Sequence, residues 1–145
     1  MANENVDQWR DFFVYTFFTP ALNIGESNKP LSITIQNDAK FLWQKFSYFV
    51  SADVGGVPTG STTAFGQCLP EISIQITDSS SGRYMSNVPV QLSSICGDGK
   101  FPFILPEPKV LVEKTTMIIN VSNYSATENY TNLYINMIGT KVFQR

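Results

Sequence analysis

The chain contains no histidine. That removes the commonest general base, and with it the Ser-His-Asp and Cys-His arrangements of nucleophilic catalysis. It also excludes zinc sites built with imidazole, and two cysteines are too few for a four-cysteine site. Charge is scarce: 15% of residues are charged, against roughly 25% in an ordinary domain. No run of Lys or Arg occurs, and the net charge of −2 with a pI near 5.0 argues against nucleic acid, whose binders need a basic stripe to displace counterions. No apolar stretch approaches the ~18–20 residues that span a bilayer. The polar, acidic start Met1-Ala-Asn-Glu-Asn-Val-Asp7 is the opposite of a signal peptide's basic start. The expectations are therefore no cofactor, no metal, no nucleic acid and no membrane, in a chain made in the cytoplasm. There Cys68 and Cys96 are expected to stay reduced; a bond between them is the alternative, which a core this rich does not need.

What is present is apolar and aromatic. Hydrophobic residues make up 43% of the 145 and aromatics 13%. A domain of that length buries roughly 68–70% of its unfolded surface, enough for a core without cross-links. The surface is left largely to Ser, Thr, Asn and Gln, which suits repeated protein contacts better than electrostatic steering.

The pattern of apolar residues is that of strands. From Trp9 to Phe18 they fall on both alternating faces: Phe13, Tyr15 and Phe17 on one, Phe12, Val14 and Phe18 on the other. A strand apolar on both faces is covered on both sides, by its own fold or by a partner. Pro20 to Lys29 reads as a loop, and Leu31–Gln36 alternates strictly, as a half-buried strand does. Phe41–Val50 fits a helical face as well, but its density of Phe, Tyr, Trp and Val favours a strand. Val54–Gly66, with its glycines and Pro58, reads as a flexible loop. Glu71–Thr77 places Ile72, Ile74 and Ile76 on a single face, and Ser79–Gly82 is a turn. Tyr84–Leu92 is expected as a weaker strand, at a sheet edge or bulged, because Pro89 cannot donate to a ladder. Lys109–Glu113, Thr115–Val121 and Leu133–Phe143 complete the set. The prediction is an all-β fold: a two-sheet antiparallel β-sandwich, a jelly roll of about eight strands. Residues 1–8 form an N-terminal arm and residues 9–145 a single domain.

Chemistry is thin. There is no calcium loop and no phosphate-cradling glycine motif. A pair of carboxylates facing each other across a groove, as in a glycosidase, is the one enzymatic arrangement that spacing leaves open. Asp53, Asp78 and Asp98 stand beside Gly or Ser and are expected to cap their own turns. Cys96, before Gly97-Asp98-Gly99, has no base to activate it. The sequons at Asn120, Asn123 and Asn129 read as by-products of a composition rich in Asn, Ser and Thr. An enzyme is not expected.

Three groups of residues are candidates for a partner interface. Trp9, Phe12 and Phe13 begin either a core strand or a strand added to a neighbour's sheet. Arg83, after Gly82, either anchors a partner carboxylate in bidentate fashion or pairs locally at its turn. Phe101, Phe103 and Leu105 stand in the proline-stiffened Phe101–Pro108 stretch, which would lose little entropy on binding. Otherwise that stretch is a crossover whose aromatics plug the end of the domain.

The order of these pieces carries a resemblance. Trp9-Arg-Asp-Phe-Phe13 comes first, then the aromatic strand ending Phe49-Val-Ser-Ala-Asp53, then Ile74–Tyr84 with its Ser-Ser-Ser-Gly-Arg turn. Phe101–Pro108 and the closing Ile138-Gly-Thr-Lys-Val-Phe143 follow. Together these resemble small structural proteins of tailed bacteriophages, the head cement or decoration proteins. The resemblance implies a self-associating β-sandwich, a dimer or trimer, on the outer surface of the virion head. There it would bridge subunits of the major capsid protein. A collar, neck or tail-fibre module involved in attachment or host glycan binding is the alternative, because a shared fold does not locate the protein on the particle.

Overall fold

The computed structural model describes residues 8–54, 57–58, 70–79 and 81–144. Residues 1–7 of the arm expected over 1–8, most of the loop expected over Val54–Gly66, and Cys68 lie outside the described residues, while Gln8 already belongs to the first strand. The elements run β1 (Gln8–Leu22), β2 (Lys29–Thr34), β3 (Lys40–Val54), β4 (Val57–Pro58), β5 (Ile72–Asp78), β6 (Arg83–Tyr84) and β7 (Val90–Gln91). A helical turn α1 (Leu92–Ile95) precedes β8 (Phe103–Leu111), β9 (Thr116–Asn123) and β10 (Asn129–Gln144).

The expected all-β architecture of two antiparallel sheets is what the chain forms. One sheet runs β1-β10-β3, with β4 and β8 both alongside β3; the other runs β2-β9-β5, with β6 and β7 both alongside β5. Their inner faces meet in one core, with Phe17, Phe41, Trp43, Leu133 and Ile135 from the first sheet and Leu31, Ile72, Ile74, Met117 and Ile119 from the second. Period-2 alternation builds most of it: along β5 and β9 every second side chain is buried.

β3 settles as one long strand, and a β-bulge explains its helix-like spacing. Its pairing with β10 shifts register between Ile138 and Gly139, so Lys45 stands opposite Ile138 while Trp43 stands opposite Gly139. The extra residue separates the buried Trp43 and Phe46 by three positions instead of two. The Trp43 indole N–H donates to the Lys45 carbonyl at 2.9 Å, which satisfies it inside the core, and its ring meets Phe46 edge-on at 5.1 Å.

Several expectations need correction. Within the loop expected over Val54–Gly66, Val54 ends β3 and Val57–Pro58 pair with Asp53 and Val54 as β4. The loop placed over Pro20–Lys29 is shorter, because β1 continues to Leu22 and β2 already begins at Lys29. The single strand over Tyr84–Leu92 is broken into β6, β7 and α1. Local bonding explains the break: the Ser86 hydroxyl donates to the Val88 carbonyl at 2.7 Å, offering the backbone an alternative to the ladder. Both fragments do lie at the sheet edge, where the proline places them. β8 starts earlier than expected, at Phe103. It leaves β3 between the Ile104–Lys45 and Lys109–Trp43 pairs, so Pro106 and Pro108 fall where no ladder bond is required.

Asn123 ties three segments together from a buried position. Its side-chain N–H groups donate to the Leu22 and Glu128 carbonyls at 3.1 and 2.9 Å, and its Oδ1 accepts from the Ser125 N–H at 2.9 Å. With both amide hydrogens committed and the residue buried, this sequon is structural. Asn123→Ala strands two carbonyls and one N–H, and the expected cost is about 2–4 kcal/mol in urea unfolding. A loss below half of that would mean water replaces the amide.

Candidate interaction surface

The outer face of the first sheet is apolar across its width. Strand registers align Phe12, Thr140, Leu42 and Val110 in one row, and Val14, Ile138, Lys45 and Ile104 in the next. A third row, Thr16, Asn136 and Ser47, is hydrogen-bonded within itself: Thr16 Oγ1 donates to Asn136 Oδ1 at 2.8 Å, and Asn136 Nδ2 donates to Ser47 Oγ at 3.1 Å. The fourth row is aromatic. Phe18 and Tyr134 lie 4.8 Å apart between ring centroids, and Tyr134 and Phe49 6.3 Å apart.

Much of this face is open to solvent. Phe12 is 74% exposed, Ile104 67% and Phe49 55%. In these four rows Lys45 alone is charged, and the polar groups of the third row largely satisfy one another; the row beyond Phe12 adds Arg10 and Lys40, either side of Val142. Strand spacing of ~4.8 Å and rise of ~3.3 Å give the face on the order of 400 Å² in projection. An apolar patch of that size on a single chain is commonly an interaction site.

The residues singled out from sequence divide between several places. Phe12 belongs to the outer face. Phe13, on the opposite side of β1, is half-buried: its ring meets Tyr15 edge-on at 4.8 Å and lies 4.0 Å beneath the Lys141 ammonium. Trp9 is exposed near the start of β1. Arg83 is exposed on β6, at the edge of the second sheet. Phe101 is 78% exposed, so it does not plug the domain. Phe103 and Leu105 line an apolar cleft of about 130 Å³ between the sheets, together with Trp43, Phe46, Ile74 and Met85. Sequence reasoning left Phe18, Phe49, Tyr134, Ile104 and Val110 out of the candidate surface. The signal for Phe18 was present, in the apolar outer face of β1; for Phe49 the bulge concealed it.

Reactive chemistry is muted in the described residues. Asp98 caps its own turn as expected, accepting from the Lys100 and Phe101 N–H groups at 2.9 and 2.7 Å. Cys96 is a buried free thiol, and burial holds its pKa far above the usual range, so a thiolate nucleophile is disfavoured. The Tyr130 hydroxyl accepts from the Glu71 N–H at 2.8 Å and donates to Glu128 Oε1 at 3.2 Å. Its pKa is pushed up to about 12, chiefly by burial.

For both groups the folded state holds the proton more tightly than the unfolded chain does. Their contribution is complete below the unfolded pKa values, ~8.5 for a thiol and ~10 for a phenol, and is lost as pH rises past them. Urea midpoints are expected to hold steady up to about pH 8 and to fall above about pH 9. Cys96→Ala should remove the first part of that fall. A flat profile through about pH 10.5 would contradict both assignments.

No protein-family model matches this sequence, and no curated protein matches it.

Proposed function

We propose that this chain is a structural protein of a virion, a head cement or decoration protein. It binds the outer surface of the head and bridges subunits of the major capsid protein through the outer face of its first sheet. The observation that carries this reading is that face itself: broad, with four exposed or half-exposed aromatic rings, and with Lys45, Arg10 and Lys40 as its cations. Aromatic side chains give large contact area at low entropic cost and dominate binding energy where they are desolvated. Lys45, with Arg10 and Lys40 at one end of the face, favours a partner surface that offers carboxylates among its apolar groups. A shell presents the same contact many times, so each copy needs only modest affinity for the lattice to be reinforced.

The strand order supports the reading at the level of fold. With β6 and β7 taken as one broken strand and β4 as an extension of the β3 hairpin, eight strands divide between two four-stranded sheets, and the chain crosses between the sheets at every connection except that from β5 to β6. Edge strands are joined to edge strands across the core, β1 to β2 and β7 to β8, and inner strands to inner ones, β3 to β5 and β9 to β10. We read this as a jelly-roll sandwich, an architecture found in viral capsid domains and in lectins. Fold analogy does not distinguish the head from the tail. The proposed role involves no bond-making, and the protein would be made in the bacterial cytoplasm and carried on the head.

The test is electron microscopy of phage particles that contain the protein, labelled with gold-conjugated antibody. Label over the whole head is the expected result. Label confined to the neck, collar or fibres would replace this reading with an attachment module.

A further inference from the structure

The two free edges of the first sheet are treated differently. β8, at one edge, carries Pro106 and Pro108 within the strand and Pro102 just before it, which blunts it against pairing. β1, at the other edge, has β10 on one side and, among the described residues, no strand on the other. Its last residues are occupied: Lys29 Nζ donates to the Ala21 carbonyl at 2.9 Å and Asn123 Nδ2 to the Leu22 carbonyl at 3.1 Å. Between Asp11 and Thr19 none of the usual devices appears. There is no proline or lysine, and no glycine to break the line. A long edge of this kind is a template for another strand.

We propose that the occupant is β1 of a second copy, paired antiparallel across a twofold axis so that the two first sheets become one continuous sheet. Side-chain alternation allows only registers that keep core-facing residues on the same side. Among these, centring the axis on Tyr15 sets the exposed Phe12 of each copy opposite Phe18 of the other. Val14 then faces Thr16, and Phe13 faces Phe17. Centring on Val14 or Thr16 instead would leave Phe12 opposite Thr16 or Pro20.

Cross-strand aromatic pairs are among the more favourable contacts in a sheet. The Tyr15 register extends the row Phe49–Tyr134–Phe18 with Phe12 of the second copy. The nine residues from Asp11 to Thr19 supply about eight to ten inter-strand hydrogen bonds, the number found in a typical specific interface. An isologous contact of this kind closes on itself and leaves no further edge of β1 to propagate fibres. The inference is independent of where the protein is carried, because it concerns the free chain.

Two variants test the pairing and its register by sedimentation equilibrium, with circular dichroism to check folding. The wild-type protein is expected to be a dimer at micromolar concentration. Val14→Lys with Thr16→Lys puts like charges opposite each other twice and should weaken the dimer by at least about tenfold. Val14→Lys with Thr16→Glu puts opposite charges in the same places and should retain it. Both positions lie on the outer face, so each variant is expected to fold. A monomeric wild type, a double-lysine variant that dimerises unchanged, or a Lys/Glu variant that dissociates would each overturn the proposal. If the double-lysine chain does not fold, the Lys/Glu chain decides alone.

Discussion

Gly139→Ala is expected to lower stability by about 3–4 kcal/mol, with a fall on the order of 10 °C in melting temperature. Gly139 lies in β10 opposite the bulge of β3. A methyl group added there would stand 2.0 Å from the Leu42 carbonyl oxygen, 3.0 Å from its carbon and 3.1 Å from the Phe41 ring. Two of these atoms belong to the backbone of the neighbouring strand, so a rotamer change cannot relieve the clash. Either the bulge must open or β10 must lift away from β3, and both disturb the centre of the first sheet. Gly99→Ala is the control: an added Cβ there meets nothing within 4 Å, and the melting temperature should barely move. Thermal unfolding of the two variants side by side checks this. A shift of only one or two degrees for Gly139→Ala would mean that the strand pair yields more readily than its geometry implies.

The second large effect concerns binding. If the proposed role holds, Phe18→Asp combined with Phe49→Asp is expected to weaken attachment to head particles by at least about a hundredfold, since buried aromatic anchors commonly contribute 2 kcal/mol or more each. Both rings stand on the outer face and are substantially exposed, so the isolated domain should lose little stability. Each does contact Tyr134, and a loss of about 1 kcal/mol from that aromatic row is expected. Co-sedimentation of the variant with particles lacking the protein, alongside wild type, measures the difference. Undiminished co-sedimentation would remove this face from the interface and shift attention to the cleft lined by Phe103 and Leu105.

Much of the fold was legible wherever alternation was unbroken. Ile72, Ile74 and Ile76 are all buried in β5, as the strict period-2 pattern requires, and β9 behaves in the same way. Legibility fails where a single residue is inserted. At Gln44–Lys45 the bulge moves Phe46, Tyr48 and Val50 into phase with the core and sends Phe49 outward, so the segment counts as half helical by spacing alone. Local hydroxyl bonding at Ser86 likewise broke a strand that its apolar content had suggested. The candidate surface was half legible. Apolar residues on both faces of β1 announced a covered outer side, and the single chain leaves that side open. Tyr134 and Ile104 became part of the same face only through the register of β10 and β8, which depends on chain pairing and not on local pattern. Phe13 and Leu105 show the converse, since apolar character near a candidate site proved to serve the core.

The excursion of β8 has a practical meaning. Between Ile104 and Lys109 the strand has already parted from β3, so the ladder does not count the residues there. Extra length at Glu107 would lengthen a detour without shifting either flanking pair, and the entropic cost of such lengthening grows only slowly. A foreign epitope spliced into that position should be displayed without loss of the scaffold, on the opposite edge from β1.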